Sequence, residues 1–211
     1  MQDIILWLFE HLNYWTVTIF MAIESSFIPF PSEVVVPPAA WLSGSSDELT
    51  FIGVVIFATL GADTGALVNY YLAKFLGRPF VYKFARSRWG RYCLIHEEQV
   101  KQAEEYFVKN GATSTFVGRL VPGIRQLISI PAGLANMHLG KFLLYTTLGA
   151  GIWNFVLAAI GYAIFKAFPA INTPKGVAEK AAEYSHQIGY GILAVVALCL
   201  VYFLIKKFVR K

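Results

Sequence analysis

Residues 27–40 read FIPFPSEVVVPPAA, and residues 120–133 read LVPGIRQLISIPAG. Set one over the other, Pro29 falls on Pro122 and Pro38 on Pro131. Each stretch lies inside a longer apolar segment, residues 16–42 and 112–137, with the length of a membrane helix. Proline removes an N–H from the helical ladder, and in lipid the freed carbonyls need other partners. Such a segment is tolerated where it folds back as a re-entrant hairpin, buried in protein or lining a wet cavity. A kinked helix is the alternative reading.

A long apolar run follows each broken segment. Residues 59–80 align with 147–168, opening TLGAD against TLGAG, and 6 of 22 positions are identical. Identity is modest, but the order of broken segment, polar link and long span recurs. The expectation is an all-α integral membrane protein built as one membrane domain. Residues 15–80 and 112–168 form two copies of one unit, a re-entrant hairpin plus a transmembrane helix, joined by a cytoplasmic amphipathic helix at 81–111. Three runs are long enough to cross a core of about 30 Å, at 50–77, 140–168 and 188–205, the last an added C-terminal helix. The first 15 residues read either as an interfacial helix or as the start of a longer arm.

Composition agrees. The 211 residues are 56% hydrophobic and 15% charged, against about 25% charged in soluble domains. Mean hydropathy is +0.54. Disordered, collagen-like and disulfide-framework classes are excluded, and Cys93 and Cys199 form no CxxC pair. Net charge is +5, but it is clustered: seven of 18 basic residues lie between Arg78 and Lys109, and four close the chain. These clusters flank apolar runs and read as cytoplasmic under the positive-inside rule, not as a nucleic-acid surface. The N-terminal stretch has no early Lys or Arg, so no basic region of a cleavable signal peptide is expected there. With the 78–109 loop inside, span 50–77 runs inward, 140–168 runs outward, and the link 169–187 is external. One hairpin then enters from each side, which is an inverted-topology repeat of the kind found in secondary transporters.

An ionisable side chain inside a membrane segment costs at least about 2.5–3.5 kcal/mol on insertion scales, so each needs a reason. Glu24 and Glu33 bracket the first proline segment, Arg119 and Arg125 bracket the second turn, and Asp63 lies midway along the first long span. Acids in one hairpin and bases in its mate are complementary. Guanidinium is always charged and binds phosphate through a planar fork, so the arginines are candidates for an anionic headgroup. Glu24, Glu33 and Asp63 are candidates for proton exchange. The alternative is an Arg–carboxylate lock between hairpins and, for Asp63, helix packing. Ser25, Ser26 and Ser32 are expected to satisfy backbone carbonyls, Trp41 and Trp153 to pack or sit at an interface, and Asn154 to bond between helices. No GxSxG elbow, HExxH or Walker loop occurs. His96-Glu97-Glu98 is a weak metal hint. The reading is a non-enzyme without cofactor or metal.

The segments ESSFIPFPSE (24–33), VVVPPAA (34–40), FVGRLVPGIRQLISIPAGLANM (116–137) and GAGIWN (149–154) carry a resemblance to a known family. Over residues 15–165 the chain resembles the DedA family, also called SNARE-associated or VTT-domain membrane proteins. The resemblance implies a lipid translocase of the cytoplasmic membrane, carrying undecaprenyl phosphate or phosphatidylethanolamine between leaflets, with some members linked to the proton motive force. It implies functional acids at Glu24 and Glu33 and functional arginines at Arg119 and Arg125. Pro31-Ser32-Glu33 stands where many members have a glycine-aspartate turn. The expected partners are the bilayer and a phosphate-bearing lipid, with a homo-oligomer compatible and nucleic acid not. Undecaprenyl phosphate is the first choice, because a monoester phosphate without an amine suits paired arginines. A proton-coupled carrier of a small soluble ion is the other functional class.

Overall fold

A computed structural model describes residues 7–26, 31–45, 48–77, 79, 83, 97–121, 125–168, 170–185 and 187. The described residues are helical, with no strand among them. The expected span 188–205, Pro29, Pro122 and the basic-aromatic half of the 78–109 loop apart from Pro79 and Lys83 lie outside the described residues.

Helix α1 (Tyr14–Ser25) begins at a capping box. The Asn13 side chain accepts from the N–H groups of Trp15 and Thr16, and Thr16 Oγ1 accepts from the Asn13 N–H. That cap, preceded by a helical turn at 7–10 with Leu8 fully buried, separates the N-terminal residues from α1. A 3₁₀ turn (Ser32–Val34) leads into α2 (Val36–Ser45). Helix α3 (Phe51–Leu72) is capped by Thr50, whose hydroxyl accepts from the Gly53 N–H, and it closes in a π-helical turn (Ala73–Gly77). Helices α4 (Glu97–Leu120), α5 (Ser129–Leu134) and α6 (Leu139–Ala167) follow, then α7 at residues 174–185.

The aligned prolines Pro38 and Pro131 are each the third residue of their helix, α2 and α5. A first-turn proline has no intrahelical acceptor to satisfy, so these residues start helices instead of breaking them. Helix α4 runs unbroken across positions 111–112, where the sequence reading divides a cytoplasmic helix from the second proline segment. The 169–187 stretch is more than a polar link. Val177 and Ala181 of α7 are fully buried beside Ile164, packed with Trp41 and Ile160.

Among the described residues, two helices are long and apolar enough to cross a bilayer, Phe51–Phe75 and Leu139–Ala167. Their outer faces carry exposed Ile52, Ile56, Leu60 and Val68 on α3, and Leu144, Leu148, Ile152 and Phe155 on α6. Such rows at helical spacing are unfavourable in water and natural against acyl chains. The inner faces are lined by small residues. A Cβ on Gly61 would strike the Thr18 carbonyl oxygen of α1, and one on Gly65 would strike that of Ala22. This small-xxx-small row lets the two backbones touch.

Packing is crossed between the halves of the chain. Helix α1 lies on α3, but α2 lies on α6; α4 lies on α6, but α5 lies on α3. The main core joins Val17, Met21, Val35, Val54, Trp153 and Leu157. A second centres on Tyr70, stacked on Phe142 at 4.8 Å, with its hydroxyl donated to the Met137 carbonyl. The crossed arrangement brings the end of α1 to the turn between α4 and α5, deep between α3 and α6.

Candidate functional site

Glu24 is in the last turn of α1, and Arg125 is in the turn that precedes α5. They are 101 residues apart in sequence, yet Arg125 Nη2 donates to Glu24 Oε1 at 2.7 Å, with the side chains only 12% and 5% exposed. The same Nη2 donates to Ser32 Oγ at 2.7 Å, and Gln126 Nε2 donates to Glu24 Oε1 at 3.2 Å. The Arg125 guanidinium also sits 5.1 Å from the Trp153 ring centroid of α6. Arg125 therefore joins the first broken segment, the second, and a long helix.

Arg119 closes α4 and is 3% exposed. Its Nη1 donates to Ser25 Oγ and its Nη2 to Ser129 Oγ, both at 3.0 Å. Its Nε is buried without a hydrogen-bond partner. The guanidinium is thus held by two neutral hydroxyls, with no carboxylate in contact among the described residues. Gly149 makes room for it, since a Cβ there would lie 2.6 Å from Arg119 Cβ. Asn69 ties the two segments together from α3, donating to the carbonyls of Ser25 at 3.1 Å and Gln126 at 3.4 Å.

Between these groups is a cavity of about 20 Å³, with Glu24, Arg119, Arg125, Gln126, Trp153 and Asn154 in its walls. That is room for about one water molecule. Two cations and one carboxylate face one another there, within a shell of apolar helices.

Of the five residues singled out from the sequence, Glu24, Arg119 and Arg125 come together on this cavity. Glu33 does not touch either arginine: its Oε1 accepts from Ser185 Oγ of α7 at 3.3 Å, while its neighbour Ser32 bonds Arg125. Asp63 stands off the cavity on α3, where Oδ2 accepts from Thr147 of α6 at 2.6 Å and Oδ1 is buried without a partner. Asn154 makes the interhelical bond expected of it, donating to Thr59 Oγ1 at 3.2 Å. The serines divide. Ser26 donates to the Ile23 carbonyl, as expected, but Ser25 and Ser32 accept from the arginines instead. Trp153, expected to be a packing or interfacial residue, is a buried wall of the site. Gln126 and Asn69 carry no motif signal; their one sequence clue is a polar side chain within an apolar run.

The VTT domain model matches residues 30–163. The chain is 40% identical over 164 residues to the alkaline phosphatase-like protein of Lactococcus lactis subsp. lactis (strain IL1403), covering 78% of this chain and 76% of that one. It is 36% identical over 200 residues to the uncharacterized membrane protein YkoX of Bacillus subtilis (strain 168), covering 94% and 81%. It is 31% identical over 206 residues to undecaprenyl phosphate transporter A of the same organism, covering 98% and 94%. No solved structure matches. The matched domain, the level of identity and the two helices of membrane-spanning length agree that this chain is a membrane protein of the VTT-domain (DedA) family.

Proposed function

We propose that the protein moves a phosphate-bearing lipid between leaflets of the cytoplasmic membrane, with Arg119 and Arg125 as the phosphate-binding pair. One observation carries the reading. In the wall of the cavity, two guanidinium groups face a single carboxylate, and among the described residues Arg119 is held only by neutral hydroxyls. Buried positive charge in excess is costly unless an anion repays it. A phosphate group does so bidentately, while its tail stays in the lipid and escapes desolvation. Undecaprenyl phosphate is the substrate of choice: a monoester with no amine leaves both arginines to the phosphate, and a relative carries that lipid in its name.

At about 20 Å³ the cavity is too small for a phosphate, so the substrate enters as the segments part. Glu24 would release Arg125 by taking a proton as phosphate takes its place. Glu33 and Asp63 are the further candidates for that proton path. The crossed packing, α1 and α5 on α3 but α2 and α4 on α6, supports an inverted repeat of re-entrant hairpins. In that arrangement the 78–109 loop and the C-terminus are cytoplasmic.

The test is transfer of labelled undecaprenyl phosphate across proteoliposome membranes, with inorganic phosphate release measured in parallel. Transfer by the wild type, abolished in Arg119→Ala and Arg125→Ala with no phosphate released, is the expected result. Unchanged transfer in both variants overturns the assignment. Released phosphate would make the protein a hydrolase instead.

A further inference from the structure

Two residues of the cavity wall each carry a buried donor with no hydrogen-bond partner among the described residues, Arg119 Nε and Trp153 Nε1. Trp153 is 3% exposed, so its indole N–H has lost water without gaining a protein acceptor. Buried donors are nearly always paired, and an unpaired one costs about 1–3 kcal/mol. A tryptophan used only for packing would turn its N–H toward a carbonyl or the interface. Here the ring lies beside the Arg125 guanidinium at 5.1 Å, so the indole is held at the charged end of the cavity. Phenylalanine would place an aromatic ring beside the guanidinium without the orphan donor.

We propose that Trp153 is a phosphate-binding residue, its indole N–H donating to a phosphate oxygen that Arg119 Nε–H also reaches. This rests on the phosphate-binding role of the arginines. The ring has a second task in that scheme. When phosphate replaces Glu24 at Arg125, the π face keeps the guanidinium in place, so the cation is not set free in an apolar surrounding. An indole donor adds a directional, uncharged contact, which favours a phosphate oxygen over a bulkier or purely apolar group.

Two measurements on the full chain in detergent test this. The first is affinity for a short-chain prenyl monophosphate, with inorganic phosphate in a parallel arm. Trp153→Phe should bind about tenfold or more weakly, as expected for loss of one hydrogen bond to a charged group. Loss of binding in Arg119→Ala with wild-type affinity in Trp153→Phe overturns the role of Trp153 alone. Wild-type affinity in both arginine variants overturns the phosphate site itself. The second is the indole N–H resonance of Trp153 in protein labelled with ¹⁵N-tryptophan. Should Trp153→Phe not fold, a chain with Trp7, Trp15, Trp41 and Trp89 replaced by Phe identifies the peak. A downfield shift on adding prenyl monophosphate supports the donor role, and a shift with inorganic phosphate as well shows that the headgroup alone is recognised. A peak that moves with neither overturns it.

Discussion

Replacing Glu24 by alanine leaves the Arg125 guanidinium, 12% exposed, facing Ser32 Oγ and the Trp153 ring with no counter-charge. Removing one member of a buried pair costs about 3–5 kcal/mol, because the charge left behind is uncompensated. Ser32 and Trp153 stay in place, so the loss belongs at the lower end, about 3 kcal/mol. For a chain of this size a loss of 3 kcal/mol lowers Tm by roughly 6–12 °C. Replacing both residues with methionine removes the charges together and keeps the volume. That double variant should melt within a few degrees of wild type, because a buried pair exchanged for apolar groups is often neutral. The assay is thermal unfolding of wild type, Glu24→Met, Arg125→Met and the double variant in one detergent, read as a double-mutant cycle, with Glu24→Ala alongside. A Glu24→Ala variant as stable as wild type, or a double variant no better than the single, would refute the view that this pair binds α1 to the α5 turn.

Arg119→Met should fold as well as wild type or better, since it removes a buried charge held only by hydroxyls, yet transport no lipid in the vesicle assay. Arg119→Lys should be nearly as inactive, because a point charge cannot bridge Ser25 and Ser129 as the fork does. Gly65→Ala should lower stability by about 1–3 kcal/mol in chemical unfolding, since its methyl meets the Ala22 carbonyl. Gly151→Ala, whose nearest neighbour would be Thr59 Oγ1 at 3.8 Å, should change stability by less than about 0.5 kcal/mol. Asn69→Leu leaves the Ser25 and Gln126 carbonyls without their shared donor, and faster hydrogen exchange at the end of α1 and around residues 126–129 is the expected sign.

Much of the candidate site was legible in the sequence. Glu24, Arg119 and Arg125 stand out because charge inside apolar runs is expensive, and that cost is written in the local sequence. Glu33 has the same signal but a different fate. In the 3₁₀ turn Ser32–Val34 the Ser32 hydroxyl lies between the two charges, accepting from Arg125 and donating to Glu33 Oε2 at 3.5 Å, while Glu33 Oε1 is turned to Ser185. The serines show the converse. A hydroxyl next to a broken helix can serve a carbonyl or an arginine, and only the approach of the other segment decides. Trp153 looked like one more aromatic in an apolar span because nothing nearby in sequence announces the guanidinium beside it.

The sequence by itself determined the solvent and the raw materials: two lipid-length helices, two proline-bearing segments, and a few charges that must be used. These follow from local terms, hydropathy over about 20 residues and the missing N–H of proline. Only the tertiary structure decided the pairing. Glu24 meets Arg125 across 101 residues of chain because glycines on α3 and α6 let the broken segments cross at backbone contact. Which polar group faces which then depends on helix rotation and crossing, and packing between distant segments sets both.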